Sequence, residues 1–436
     1  DSRISAKRIK SQLIDEFTAL GVDVIDCSLA STPSMFMTTI DLNCDGAISI
    51  TASHHPFNKN GFKFFTKDGG LNSSDIDSLI KLACKDYNKN SKPTTVKCIN
   101  YVDTYAEHLK DIICKQVNSK DYLRPLDGFK IIVDASNGAG GFYANKVLKP
   151  LGADITGSQF LEPDGMFPNH VPNPEDKNAM KSISDAVIKH HADLGIIFDT
   201  DVDRAAVVLP DGSEINRNKL IALASIIAAN GKSSCTIVTD SITSDGLKAF
   251  IEDELSCIHH RFKRGYKNVI NEAIRLNNEG IDCPLAIETS GHAAFRENYF
   301  LDDGAYLAAK IIIKMANLKK ENKSLLNVLY KLKEPLESME KRIKIKCDDF
   351  RSYADKIIKD LANYSKTRDD FNICKENYEG VRVSFNKDDG DGWFLLRLSV
   401  HDPIMVLNIE SNTKSGVHTI YDKIYKLLKN YKDLEI

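Results

Sequence analysis

Three aspartates between two apolar runs constrain the fold of this chain more than any other feature. Residues 194–198 form an apolar run of strand type, Asp199, Asp201 and Asp203 follow at alternate positions, and a second apolar run covers residues 205–208. Carboxylates placed this close to buried strands repel one another unless a cation bridges them. Clustered carboxylate oxygens are ligands that suit Mg²⁺. The segment therefore predicts two strands joined by a loop that binds Mg²⁺.

Two other interpretations of acidic segments apply here. An EF-hand loop begins with a similar pattern, but its sharp turn needs glycine where this chain has Arg204. Residues 41–46 also open like an EF-hand loop, yet Ala52 stands where the bidentate glutamate is required. A solvated acidic turn, the commonest fate of aspartate-rich segments, stays open at this point.

A second feature is the serine in the run from Ile48 to Pro56. An apolar, β-branched stretch leads to Ser53, and two histidines and a proline follow it. This order places the serine exposed at the end of a strand, which is a suitable position for a nucleophile. Considered alone, the segment favours a polar turn residue without any chemistry, which is what most Ser-His pairs beside a proline are.

Together these segments identify a family. Thr51 to Pro56 and Asp199 to Arg204 strongly resemble the phosphoserine and metal loops of the α-D-phosphohexomutases, the superfamily of phosphomannomutase, phosphoglucomutase and phosphoglucosamine mutase. Glu288 to His292 is similar to the sugar-binding loop of that superfamily, and Arg397 to Pro403 to its phosphate-binding loop. The four motifs occur in the family's order along essentially the whole chain.

The resemblance implies an enzyme that interconverts hexose 1-phosphate and 6-phosphate, most often of mannose or glucose, through a phosphoserine and a bisphosphorylated sugar. Glucose 1,6-bisphosphate or mannose 1,6-bisphosphate would act as activator, and Mg²⁺ would be held by Ser53 and the three aspartates. The resemblance assigns the remaining residues as follows. Catalytic residues would be Ser53, His54, Lys63, Arg3, Arg204 and His292, and substrate-binding residues would be Lys263, Arg264, Tyr266, Glu288, Ser290, His292, Arg397, Ser399 and His401.

Strand and helix patterns restart three times along the chain, which predicts three similar mixed α/β domains. Strand-type runs at 380–385, 393–398 and 404–409, with helices predicted at 350–363 and 415–430, indicate a fourth, antiparallel α+β domain that could move as a lid. The expected domains are residues 1–124, 125–231, 232–340 and 341–436, around a central cleft. The chain begins at Asp1 within a segment that family members precede with a further strand, so we expect a fragment of a longer protein.

Composition narrows the possible partners. The net charge of −3 gives no global basic field for nucleic acid, and no apolar run is long enough to span a bilayer. Ten scattered cysteines without a C-x-x-C pair indicate a reducing compartment and make zinc improbable. We therefore expect a cytoplasmic enzyme of hexose phosphates, as a monomer or dimer.

Three alternatives to a mannose or glucose mutase are kept. The first is a phosphoglucosamine mutase or a mutase strict for glucose. The second is a phosphatase of the haloacid dehalogenase type, with Asp199 as nucleophile and Asp201 as acid and base. That alternative does not explain Ser53, the loop at 288–292 or Arg397. The third is a sugar-phosphate binder without catalytic activity.

Overall fold

A computed structural model describes residues 1–88, 92–399 and 402–436. The described chain divides into two compact units. The first contains residues 1–230 and 283–330, and the second contains residues 231–282 and 331–436.

The elements follow one another along the chain in an alternating order. The α-helices are α1 (Ala6–Ala19), α2 (Thr32–Asp41), α3 (Ser73–Ala83), α4 (Tyr101–Val117), α5 (Lys177–His190), α6 (Arg217–Ala229), α7 (Asp245–Ala249), α8 (Tyr266–Asn278), α9 (Gly304–Lys320), α10 (Leu325–Leu329), α11 (Phe350–Lys366) and α12 (Gly416–Leu428). The strands are β1 (Val24–Asp26), β2 (Ala47–Ile50), β3 (Phe62–Thr66), β4 (Gly69–Gly70), β5 (Val96–Cys98), β6 (Ile131–Asp134), β7 (Leu194–Phe198), β8 (Ala205–Val208), β9 (Glu214–Ile215), β10 (Thr236–Asp240), β11 (Ile258–Phe262), β12 (Leu285–Ile287), β13 (Ala293–Phe295), β14 (Leu301–Asp302), β15 (Glu337–Ile345), β16 (Asn372–Ile373), β17 (Val381–Phe385), β18 (Gly392–Leu398), β19 (Ile404–Ser411) and β20 (Leu434–Glu435).

A four-stranded sheet in the first unit carries the acidic loop. Its strand order is β6-β7-β8-β9, with β6 parallel to β7 and β7 antiparallel to β8. Every residue of β6, β7 and β8 is buried, which explains why these strands are continuous apolar runs rather than alternating ones. Helix α5 packs on this sheet, and Gly195 permits that packing because a Cβ there would lie 2.4 Å from Val187. The two buried strands thus fix both ends of the loop between them.

The N-terminal part of the first unit positions the serine. Strands β2, β3 and β4 form an antiparallel sheet in which Ser49 pairs with Lys63. Ser53 follows the end of β2 and is half-buried, so the expectation of an exposed serine was wrong. The first unit also contains the antiparallel set β12, β13 and β14, and the turn between β12 and β13 carries the 288–292 motif.

In the second unit, six strands form an antiparallel sheet in the order β16-β17-β18-β19-β15-β20. Helices α11 and α12 cover its apolar face, and their buried residues join the same core as Phe394 and Leu407. Arg382 on β17 donates to the carbonyl oxygens of Ser241 (2.9 Å) and Thr243 (3.1 Å), which follow β10. Strands β10 and β11 pair in parallel.

Most of the predicted elements are confirmed. The three strand-type runs near the C-terminus are β17, β18 and β19, and the helices expected at 350–363 and 415–430 are α11 and α12. Among the described residues, no helix combines the length and the apolar character needed to cross a membrane.

The buried face of α12 provides a test of the C-terminal core. Ile420 is completely buried against the antiparallel sheet. Ile420→Ala should lower the free energy of unfolding by about 2–5 kcal/mol, because the surrounding core cannot close the cavity. Guanidinium unfolding followed by the fluorescence of Trp393, the chain's one tryptophan, measures this because that side chain lies in β18. The exposed neighbour His418→Ala is the control, and equal midpoints for both variants would contradict the packing described.

Candidate active site

The acidic loop brings three carboxylates together without exposing them. Asp199 and Asp201 are 0% exposed and Asp203 is 1% exposed. One carboxylate oxygen from each lies within 4.8 Å of those of the other two. This burial excludes the solvated acidic turn that the sequence alone had left open.

Two cations compensate the charge of this cluster. Arg204 is 1% exposed, and its Nε donates to Asp199 Oδ2 at 3.2 Å. The ammonium of Lys63 donates to Asp201 Oδ2 at 2.8 Å and also to Asp203 Oδ2. Lys63 and Arg204 therefore lie where the sequence predicted cations, in direct contact with the predicted metal ligands.

The surroundings shift the pKa values of these side chains in different directions. Burial, together with the neighbouring charges of Asp203 and Asp201, raises the pKa of Asp199 well above its ordinary value. Burial acts in the same direction on Asp203, but Lys63, His292 and Arg204 outweigh it and lower the pKa of that carboxyl. Burial opposes the charge of Arg204, yet Asp199 and Asp203 raise the pKa of its guanidinium.

The buried oxygens left over fit a metal ion. Asp201 Oδ1 and Asp203 Oδ1 are buried and have no hydrogen-bond partner within the described parts of the chain. Lys63 occupies only the Oδ2 atoms of these two residues, so the Oδ1 atoms can accept a cation. The group of Asp199, Asp201 and Asp203 offers carboxylate oxygens, a donor set suited to a hard divalent ion, and His292 Nδ1 lies near one edge of it, 3.9 Å from Asp203 Oδ1.

Ser53 reaches this loop from the N-terminal sheet. Its Oγ lies 3.3 Å from Asp199 Oδ2 and 3.3 Å from His54 Nδ1. The backbone at Ser53 has a φ of 48°, a left-handed conformation that is unfavourable for a non-glycine residue. Strain of this kind is kept only where surrounding contacts enforce it.

Arg3 supplies those contacts. Its Nη2 donates to the carbonyl oxygens of Ser53 (2.5 Å) and His55 (2.7 Å), and its Nη1 to those of Pro56 (2.7 Å) and Lys59 (2.9 Å). Its Nε donates to Asp1 Oδ2 at 3.2 Å. Since guanidinium has five donor hydrogens, this set uses all of them. Arg3, expected near the transferred phosphoryl charge, lies instead beneath the serine loop and holds its shape.

The two histidines of the site differ in charge at neutral pH. Burial, reinforced by Arg204, lowers the pKa of His54 to about 3, so its ring is neutral. His292 Nδ1 lies 2.5 Å from Asp302 Oδ2 and 3.9 Å from Asp203 Oδ1. Burial opposes protonation of His292, but Asp302 and Asp203 outweigh it and raise its pKa to about 9. His292 is therefore a cationic donor at neutral pH.

The predicted sugar-binding loop is a tight turn beside the metal loop. The backbone N–H of Glu288 donates to the carbonyl of His292 (2.9 Å), and that of Gly291 donates to the carbonyl of Glu288 (3.1 Å). Ser290 Oγ donates to Glu288 Oε2 at 3.3 Å. Gly291 has a φ of 93°, and a Cβ there would lie 2.9 Å from the carbonyl of Ala205, so this position requires glycine. His292 forms an isolated bridge with Arg204, which joins the two loops.

The second unit contains the remaining predicted residues. Arg397, in β18, is 6% exposed, and its Nε has no hydrogen-bond partner among the described residues. Burial, and the nearby charge of Arg264, lower the pKa of Arg397, while Glu379 acts in the opposite direction. Lys263 and Arg264 follow β11, Tyr266 begins α8, and Ser399 directly follows β18. His401 lies outside the described residues.

Some contacts of the site were not expected from the sequence. Thr32 Oγ1 donates to Asp201 Oδ2 at 2.5 Å, and its backbone N–H donates to the carbonyl of Asp201 at 2.8 Å. Asp302, the partner of His292, and Asn173, which accepts from Arg204 Nη1 at 3.1 Å, were also missed. The Ser31-Thr32-Pro33 helix start was recognisable locally, but nothing in it indicates a contact with a loop 169 residues away.

Comparisons with known proteins agree with this geometry. Three models described as "Phosphoglucomutase/phosphomannomutase, alpha/beta/alpha domain" match successive parts of the chain: domain I at residues 1–91, domain II at 103–212 and domain III at 216–332. They confirm the predicted three α/β domains, and the six-stranded sheet of the structure confirms a C-terminal domain with an antiparallel sheet.

Relatives match over nearly the whole chain. A phosphomannomutase/phosphoglucomutase of Pseudomonas syringae is 28% identical over 98% of this chain and 86% of its own length. A phosphoglucosamine mutase of Alkaliphilus oremlandii is 28% identical over 98% of this chain and 88% of its own. The crystal structure of a phosphoglucomutase/phosphomannomutase family protein from Burkholderia thailandensis covers 98% of this chain and 87% of its own, with a TM-score of 0.80 and 25% identity. The chain belongs to the α-D-phosphohexomutase superfamily.

Proposed function

We propose that this protein is a phosphohexomutase that moves a phosphoryl group between the 1- and 6-positions of mannose or glucose, with Ser53 as the phosphoryl carrier. The observation that carries the proposal is the contact between Ser53 Oγ and the carboxylate cluster, at 3.3 Å from Asp199. A serine hydroxyl facing three buried carboxylates is favourable as a phosphoryl acceptor only if a cation can be held between them.

Mg²⁺ is the cation that we propose for Asp199, Asp201 and Asp203, with an oxygen on Ser53 as a further ligand. When bound, Mg²⁺ would neutralise the oxygens of the transferred phosphoryl group. The protein's own side chains orient the carboxylates and the serine loop. Lys63 and Arg204 hold the carboxylates, while Arg3 holds the serine loop against them.

Transfer to the sugar breaks the bond between phosphorus and Ser53 Oγ and forms one between phosphorus and a sugar hydroxyl oxygen, while that hydroxyl loses its proton and Ser53 Oγ gains one to become a free hydroxyl again. His292 is protonated, so it is suited to donate a hydrogen bond to the substrate near this step. Glu288 and Ser290 lie on the same turn and offer acceptors and a donor for sugar hydroxyls. A bisphosphorylated hexose, glucose 1,6-bisphosphate or mannose 1,6-bisphosphate, would load the serine.

We propose that Arg397 and Arg264, with Lys263, Tyr266 and Ser399, bind the phosphate that is not transferred. Besides burial, the charge of Arg264 lowers the pKa of Arg397, and a phosphate dianion beside both guanidinium groups would offset this repulsion. The unpartnered Nε of Arg397 supports this assignment, because a buried donor without an acceptor is costly unless a ligand supplies one.

The other functions considered from the sequence account for fewer of the contacts in the site. The haloacid dehalogenase mechanism requires Asp199 as a free nucleophile, but both of its oxygens accept hydrogen bonds from Arg204. Phosphoglucosamine remains the second candidate substrate, on the strength of the relative of that name. The predicted cytoplasmic location and the monomeric or dimeric state stay predictions.

Phosphorylation of Ser53 tests the proposed function directly. Incubation with glucose 1,6-bisphosphate and Mg²⁺ should add one phosphoryl group to the peptide that contains Ser53, because its hydroxyl lies beside the carboxylate cluster, 3.3 Å from Asp199 Oδ2. Peptide mass spectrometry detects the label. Ser53→Ala should abolish it, whereas Ser78→Ala, at an exposed position of α3, should leave it unchanged. A label on Asp199 would support the phosphatase instead.

The metal site is tested without any sugar. Asp201→Asn removes the carboxylate of one of the two loop residues, Asp201 and Asp203, whose Oδ1 atoms have no hydrogen-bond partner among the described residues. It should weaken Mg²⁺ binding by at least about 10–100-fold, the loss typical for residues that only support a metal ligand. Titration calorimetry with MgCl₂ measures the affinity, with the exposed Asp185→Asn as the charge-matched control. Equal affinity in both variants would show that the carboxylates bind no Mg²⁺.

Arg397 is tested by steady-state kinetics with glucose and mannose 1-phosphates. Arg397→Ala should raise KM and lower kcat/KM, since loss of a charge-assisted contact costs about 1.5–3 kcal/mol, or roughly 10- to 150-fold. Arg397→Lys should recover part of the loss, because it keeps the charge but not the planar fork. Arg351→Ala, an exposed arginine of α11, is the control. Unchanged kinetics for Arg397→Ala would move the phosphate contact to Lys263 or Arg264.

A further inference from the structure

Residues 164–175, here called the bridging loop, belong to none of the four motifs, yet they contact both arginines that shape the site. The segment lies between Gln159, which pairs with Asp134, and the start of α5. We propose that the bridging loop sets the position of the serine loop relative to the metal loop, with Phe167 and Asn173 as positioning residues. This inference rests on the proposed function of Ser53 and the carboxylates.

One end of the bridging loop contacts Arg3. The Cζ of Arg3 lies 5.4 Å from the ring centroid of Phe167, within the range of a cation–π contact. Phe167 has a φ of 51°, which is unusual for a bulky residue and implies that surrounding contacts enforce it. Gly165 lies directly against the same backbone, because a Cβ there would be 2.5 Å from the carbonyl of Ser2 and 2.9 Å from Arg3 Cα. Arg3 is therefore in contact with the bridging loop as well as with the serine loop.

The other end contacts Arg204. Asn173 Oδ1 accepts from Arg204 Nη1 at 3.1 Å and from the backbone N–H of Glu175 at 3.0 Å. The carboxylate of Glu175 lies 3.9 Å from the same Nη1. These contacts orient the guanidinium whose Nε donates to Asp199. Asn173 thus acts on a predicted metal ligand through Arg204.

The bridging loop is itself fixed to the sheet that carries the metal loop. The N–H of Asp164 donates to the carbonyl of Asn137 at 2.9 Å, and Asn216 Nδ2 donates to the carbonyl of Pro174 at 2.7 Å. Between these ends, the ring of His170 lies 3.0 Å from Asp134 Oδ2, at the end of β6. A loop anchored at three points transmits a displacement at one contact to the others rather than absorbing it.

These contacts form a continuous series that begins and ends at Ser53. The Ser53 carbonyl accepts from Arg3, whose guanidinium contacts Phe167 at one end of the bridging loop. At the other end, Asn173 accepts from Arg204, which donates to Asp199. Asp199 in turn accepts from Ser53 Oγ. In-line phosphoryl transfer loses rate steeply when the reacting oxygen is displaced by as little as 1 Å. Because the bridging loop contacts both the serine loop and the metal loop, it keeps the serine oxygen in place relative to the carboxylates.

The test changes a residue at one end of the bridging loop and measures the function of the loop contacted by the other end. Phe167 is not one of the proposed metal ligands, yet Phe167→Ala should weaken Mg²⁺ binding by about fivefold or more, a typical coupling between linked sites. Asn173→Ala, conversely, should slow phosphorylation of Ser53 by glucose 1,6-bisphosphate by about fivefold or more and lower kcat with little change in KM. The KM should hold because neither side chain belongs to the sugar or phosphate loop. Phe167→Leu, which keeps apolar volume but loses the aromatic face, should show a smaller loss of the same kind.

Met166→Ala changes an exposed side chain of the same loop and is the matched control. The bridging role is overturned if Phe167→Ala affects only Ser53 phosphorylation while Asn173→Ala affects only Mg²⁺ binding, because the two loops then respond independently. Melting temperatures identify a variant that does not fold, and in that case Phe167→Leu decides by the same criterion. A wild type that binds Mg²⁺ but is never phosphorylated contradicts the proposed function alone, since the Mg²⁺ titration of Phe167→Ala still tests the bridging loop.

Discussion

The burial of three carboxylates in the loop between β7 and β8 is the constraint on which the rest of the site depends. Removing an ionised carboxylate from water costs several kcal/mol unless partners replace its hydration. Here Arg204 comes from the loop itself, whereas Lys63 in β3 and Thr32 at the start of α2 come from distant parts of the chain. The N-terminal sheet is therefore held against the central sheet by the same charges that are expected to bind the metal.

Arg3 and Arg397 differ in how far their hydrogen-bond donors are satisfied. Arg3 uses its five donors on a neighbouring carboxylate and on backbone carbonyls, which leaves none for a phosphate. Arg397 is buried to a similar degree but retains an unpartnered Nε within the described chain. Because an unsatisfied buried donor is costly, its persistence favours a site that a ligand completes. Residue type and burial alone would not have distinguished these two side chains.

Much of the site follows from local sequence. The apolar runs on both sides of Asp199 to Asp203 predicted two buried strands, and the structure has them as β7 and β8. The turn at 288–292 was also recognisable, because Gly291 allows a positive φ at the end of a strand. These inferences succeed because strand pattern and turn chemistry depend on neighbours within a few residues.

The sequence by itself thus determined the elements, the family and the residue types that the chemistry requires. Tertiary structure alone decided that Ser53 is half-buried, that Arg3 lies beneath the serine loop, and that Asp302 keeps His292 protonated. It also placed Asn173 and Phe167, from a segment without a recognised motif, between the two arginines. The reason is physical. Hydrogen bonds and charge pairs between residues far apart in the chain depend on which strands and loops lie next to one another in the fold. The periodicity of the sequence does not predict these contacts.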